Sequence, residues 1–104
     1  MDENFQKLEK FRTELQQLRE QKHNTFGELD GLIVRVIRAF PALFPKYAVK
    51  KKGIRCVHHI NVPGIYPISL EKEHGSREYI PKYYAKLAMN GIDDVLNYVD
   101  GRMS

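Results

Sequence analysis

Residues 55–64, RCVHHINVPG, break with the helical grammar of everything before them. Val57, Ile60 and Val62 are β-branched and Pro63-Gly64 is a turn pair, so residues 54–62 are expected to form a strand. Alternate side chains of a strand face opposite ways. Ile54, Cys56, His58, Ile60 and Val62 then share one face, and Arg55, Val57, His59 and Asn61 share the other. This places His58 among apolar neighbours, as for a buried and hydrogen-bonded ring, and His59 beside polar ones, as for a surface residue.

Two further short runs flank this one, residues 47–50 before the turn-forming KKKG and residues 65–70 after Pro63-Gly64, which makes a three-stranded antiparallel meander. Upstream, Leu8, Phe11, Leu15 and Leu18 recur at steps of three and four, the spacing of one helical stripe. The stripe stops near residues 21–24, QKHN. Thr25 and Glu28 then have the form of a capping box, opening a second helix that carries Leu29, Leu32, Ile33, Val36, Ile37 and Phe40 until Pro41 removes a donor. Two helices joined by a short polar turn are expected to pack antiparallel. Downstream, Pro81 suits a first helical turn. Tyr83, Tyr84, Leu87 and Ala88 form a face that is expected to close at Asn90-Gly91, and Asp93 or Asp94 would cap a last short helix with Val95, Leu96 and Val99. The fold class is therefore α+β: an N-terminal antiparallel helical hairpin over residues 1–41, then the β-meander and two C-terminal helices over residues 45–100, in one domain spanning 1–104.

A chain of 104 residues with 42% apolar and 29% charged side chains can build one core and is not a disordered tail. No run approaches the ~20 apolar residues of a membrane span, and the start, MDENFQKLEK, lacks the basic and apolar regions of a leader. With a lone Cys56 there is no internal disulfide and no thiol-rich metal site. These features are expected of a cytoplasmic protein with no membrane partner and no cofactor. Nor is a metal site expected, because adjacent histidines in a strand point apart and no HxH or HxxxH spacing supplies a second ligand.

The net charge of +4 is unevenly spread. Residues 42–89 hold nine basic and three acidic side chains, whereas residues 1–41 are balanced at seven each. Such a block favours a polyanion partner, since each cation near a phosphate releases condensed counterions. Lys50, Lys51, Lys52 and Arg55 are the candidate nucleic-acid contacts, joined by Lys82 and Lys86 on the tyrosine-rich helix. The alternative for the strand lysines is that they keep a sheet edge from aggregating.

Residues 47–99 resemble the HicA toxin family, small bacterial ribonucleases. The likeness rests on the basic strand and turn KYAVKKKG, the paired histidines of VHHINV, the PG turn, the strand ending PISL, the HG that follows it, and the stretch IPKYYAKLAMNGIDDVLNYV. The resemblance implies a β-β-β-α fold like that of double-stranded-RNA-binding domains, RNA in preference to DNA as partner, and His58 as catalytic residue. The chain departs from the family in carrying Cys56-Val57 where the family has Gly-Ser, a small pair that lets an RNA backbone approach the ring, and in having a hairpin where the family has one short helix. A histidine could take the 2′-hydroxyl proton because its unperturbed pKa of ~6.5 lies near cellular pH. His59 or His74 would then have to serve the leaving oxygen.

Three functions follow as expectations: RNA binding without cleavage, metal-independent ribonuclease activity through a histidine, and a protein-interaction module of the regulator or inhibitor kind that mobile elements encode. The last would use the hairpin stripe of Leu8, Phe11, Leu15 and Leu18, as a homodimer or with another protein, or the tyrosine-rich helix with Tyr79 and Tyr83. A stripe of about two heptads is short of the three or four that sustain a coiled coil.

Overall fold

The computed structural model describes residues 3–71 and 79–103. Helix α1 is Glu3–Glu20 and helix α2 is Phe26–Ala39. The capping box between them forms as its spacing predicts: Thr25 Oγ1 accepts from the Glu28 amide at 3.1 Å, and the Thr25 amide donates to Glu28 Oε1 at 2.8 Å. The two helices pack antiparallel. Near one end Phe11 and Phe40 meet edge to face with ring centroids 6.3 Å apart, and further along Arg35 grips Glu14 through both terminal nitrogens at 2.8 and 2.5 Å.

After a 3-10 turn at Pro41–Leu43 the chain enters strands β2 (Ala48–Lys52), β3 (Arg55–His59) and β4 (Ile68–Glu71). These form an antiparallel meander in the order β2-β3-β4, with Lys52 opposite Arg55, Val49 opposite His58, and His58 opposite Ile68. The meander, the hairpin and the α+β class agree with the sequence reading. Strand β1 (Asn24–Thr25) and strand β5 (Tyr79–Ile80) add a two-residue antiparallel clasp, which is too short to leave a periodic trace. Asn24, buried, donates from Nδ2 to the Leu18 carbonyl at 2.8 Å and so caps the end of α1.

The C-terminal segment differs from expectation. It is one helix, α3, running from Lys82 to Met103, with no break at Asn90-Gly91 and no separate cap at Asp93 or Asp94. Gly91 lies within the helix because the helix presses on β4 there: a Cβ on Gly91 would stand 2.8 Å from Ile68 Cγ1. The glycine is thus a close-approach residue and not a stop signal. Helix α1 runs against α3 as well, since Arg12 reaches Asn97 and Asp100 while Arg19 reaches Asn90 and the Met89 carbonyl.

Strands β3 and β4 are shorter than read from the sequence, whereas β2 runs on to Lys52, through lysines expected in the turn. Gly53, at φ +60°, and Ile54 make the two-residue loop of the β2–β3 hairpin, so Ile54 leaves the inner face and is exposed. Strand β3 ends at His59, and Asn61, at φ +59°, turns the chain while its amide donates to the Lys46 and His59 carbonyls. Beneath the sheet, Cys56, His58, Ile68 and Leu70 pack into a core built from Leu8, Leu15 and Leu18 of α1, Leu29, Leu32 and Val36 of α2, and Ile92, Leu96 and Val99 of α3. Among the described residues no helix is long and apolar enough to cross a membrane.

Candidate functional site

The sheet has two unlike faces. On the inner face His58 is wholly buried, and both of its ring nitrogens are occupied. Nε2 lies 2.7 Å from Asp30 Oδ1 of α2, and Nδ1 lies 2.5 Å from the Tyr47 hydroxyl just ahead of β2. A carboxylate only accepts, so Nε2–H donates to Asp30; in the neutral ring this leaves Nδ1 to accept from the Tyr47 hydroxyl. The Tyr47 and His58 rings are nearly parallel, their planes 7° apart. Cys56, two residues before His58 and on the same face, places Sγ 3.6 Å from Nε2 and 3.7 Å from Asp30 Oδ1.

The hydrogen bond from His58 holds the Asp30 carboxyl below its ordinary value against the opposing effect of burial, with the Lys51 ammonium adding to the shift. Burial, helped by the Asp30 charge, pushes the Tyr47 hydroxyl up to about 12. What this cluster does chemically is hold β3 against α2 through a satisfied polar network. A phosphate cannot reach a ring with no exposed surface whose two nitrogens already have partners.

The outer face carries the charge. Opposed residues share a face, so Ala48, Lys50, Lys52, Arg55, Val57, His59 and Ser69 point away from the helices. None of them is buried, and all of β2 is exposed. Lys52 stands directly opposite Arg55, a like-charged cross-strand pair that destabilises a sheet when left alone. The only carboxylate within ion-pair reach of these cations, among the described residues, is the half-buried Glu71, 3.4 Å from Arg55. Lys51 is separated from the other three cations, because its place in the register turns it to the Asp30 side. His59 is half-buried on the outer face, opposite Ala48.

The remaining predicted residues lie elsewhere. Lys82 and Lys86, both exposed, border a shallow pocket of about 210 Å³ with Arg19 and Lys22, on a side of α3 different from the one that meets Arg55. Leu8, Leu15 and Leu18 are inside the chain's own core, and Phe11 is packed against it, so the hairpin stripe is covered by α2 and α3. Tyr79 and Tyr83 are exposed; Tyr79 stacks on His23 at 4.9 Å and Tyr83 meets Tyr84 edge to face. His74 falls outside the described residues.

Asp30, Tyr47 and Cys56 were missing from the sequence expectation. A signal for two of them existed. Asp30 precedes Ile33 and Ile37 by three and seven residues, so it interrupts an apolar helical row, and Cys56 shares the strand face of His58. No family model, curated protein or solved structure matches the chain.

Proposed function

We propose that this chain is a small nucleic-acid-binding protein that holds a polyanion on the open outer face of its sheet and does not cleave it. The observation that carries the reading is the Lys52–Arg55 pair together with Lys50, three exposed cations on one face with, among the described residues, only the half-buried Glu71 carboxylate within ion-pair reach. Protection of a sheet edge accounts for lysines on β2, which is an edge strand. It does not account for Arg55, which stands on the central strand. Phosphates would supply the counter-charge that the three cations need beyond the single Arg55–Glu71 ion pair. The preference for RNA over DNA rests on the resemblance of residues 47–99 to the HicA family. The absence of cleavage rests on the burial of His58.

Filter binding of short RNA and DNA single strands at low salt tests the proposal. Binding that Lys50→Glu with Lys52→Glu removes supports it, and a lack of association with either strand ends it.

A second reading has its own observation. A cleft of about 480 Å³ between β4 and α3 is lined by exposed Tyr66, Tyr84 and Leu87 together with Arg55, the kind of aromatic and apolar surface that protein partners use. Charge-reversed protein that still captures a protein through Tyr84 and Leu87 would favour this reading over nucleic-acid binding.

A further inference from the structure

We infer that Asp30, Cys56 and His58 form a three-ligand site for a divalent transition metal of the zinc class, which would fasten β3 to α2. The three donor atoms, Asp30 Oδ1, Cys56 Sγ and His58 Nε2, all lie within 4.8 Å of one another. Zinc bonds of ~2.3 Å to sulfur and ~2.0–2.2 Å to nitrogen and oxygen, at tetrahedral angles, place donors about 3.4–3.6 Å apart. The Cys56–His58 and Asp30–Cys56 separations, 3.6 and 3.7 Å, are close to that size. Only the His58–Asp30 separation of 2.7 Å is short, because a proton now bridges it. Opening it by about 0.7 Å requires a small rotation of the Asp30 side chain, which is 25% exposed and therefore has room to move.

The chemistry of the donors fits the same conclusion. Soft thiolate and borderline imidazole with one carboxylate select zinc, cobalt or copper over magnesium or calcium. A thiolate and a carboxylate neutralise a divalent ion, which matters at a site with Lys51 on the same face of the sheet. Tyr47 supplies the outer partner that metal-bound histidines require. When the metal takes the Nε2 lone pair, the ring proton moves to Nδ1 and Nδ1–H donates to the Tyr47 oxygen, so the 2.5 Å contact is kept with its direction reversed. The Cys56 thiol gives up its proton to solvent as the Sγ–metal bond forms, and no electron is transferred. Three protein ligands leave one coordination position on the Asp30 side, the least buried edge of the cluster, for water.

Because the chain has a single cysteine, one spectroscopic band reports this site alone. The experiment is Co²⁺ titration of the reduced full-length chain, followed by thiolate-to-cobalt absorption in the near ultraviolet, with Zn²⁺ added afterwards to displace the cobalt. The inference predicts the band at one equivalent, its loss on adding Zn²⁺, and a Zn²⁺-dependent rise in Tm. It predicts no band for Cys56→Ser. For Tyr47→Phe, which keeps every ligand, it predicts Co²⁺ affinity lower by roughly 10–100-fold. Asp30→Asn, which keeps the size of the side chain, should weaken the band with folding verified by circular dichroism. A wild-type chain without the band and without the Zn²⁺-dependent shift overturns the inference. So does a band whose affinity is unchanged in both Asp30→Asn and Tyr47→Phe, since that describes a cysteine binding cobalt with other partners. Nucleic-acid binding through the outer face is read separately and stands or falls without this result.

Discussion

Gly91 of α3 approaches Ile68 of β4 so closely that a methyl group on the glycine would lie 2.8 Å from Ile68 Cγ1 and 3.2 Å from its Cδ1. The contact sets how near the helix can sit to the sheet, and with it the depth at which the inner face is sealed. Ile68 is buried, and the atom met first is Cγ1, next to its branch point and not the free end of its side chain.

Gly91→Ala therefore tests the packing. Helix propensity favours alanine by about 1 kcal/mol, whereas overpacking a tight core costs about 1–3 kcal/mol. The expected outcome is a net loss of stability in urea unfolding. In an Ile68→Ala background, which removes the atoms the methyl would meet, Gly91→Ala should become neutral or stabilising. A loss of the same size in both backgrounds would contradict the close-approach account.

His58→Ala separates a structural histidine from an exposed reactive one. Removing the ring leaves a cavity and strips Tyr47 and Asp30 of their shared partner, so a loss of about 2–5 kcal/mol is expected in denaturant unfolding. His59→Ala, at a half-buried outer position, should change stability by less than about 1 kcal/mol. RNA incubated with the wild-type chain should stay intact on a gel. Cleavage that vanishes in a well-folded His58→Ala chain would overturn the account.

The pH dependence has two arms, to be measured as Tm in EDTA. Tyr47 has its folded value raised from 10 to about 12, so the stability linked to its neutral hydroxyl is fully present below pH 10 and is lost as pH climbs through about 12. Asp30 has its folded value lowered from 3.8, so its contribution is present above that value and is lost as pH falls through the lowered one. Tyr47→Phe should flatten the alkaline arm and leave the acid arm in place, whereas Asp30→Asn should flatten the acid arm and, because the Asp30 charge helps raise Tyr47, also shrink the alkaline one. Unchanged arms in both variants would mean that the network does not govern them.

Much of the fold was legible because it rests on local repetition. The Leu8 to Leu18 stripe, the Thr25–Glu28 box and the alternation of Cys56 and His58 each follow from spacing along the chain. Two features were not legible for a common reason. Gly91 carries the same local signal as a helix stop, and only the presence of Ile68, 23 residues away in sequence, makes it a packing residue. Asp30 likewise gains its role from His58, 28 residues further on. The split among the strand cations had the same origin: register sends Lys51 to the Asp30 side and leaves Lys50, Lys52 and Arg55 outside, and register is set by where the Gly53-Ile54 loop falls.

The claim that the outer face binds nucleic acid is tested most directly by the salt dependence of RNA affinity, followed by fluorescence anisotropy of a labelled single strand. Three phosphate contacts, from Lys50, Lys52 and Arg55, predict a slope of log affinity against log salt of about −2, and loss of two of them in Lys50→Gln with Lys52→Gln predicts about −0.7. A wild-type chain that shows no association at low salt, or whose slope is unchanged in that variant, would contradict the account.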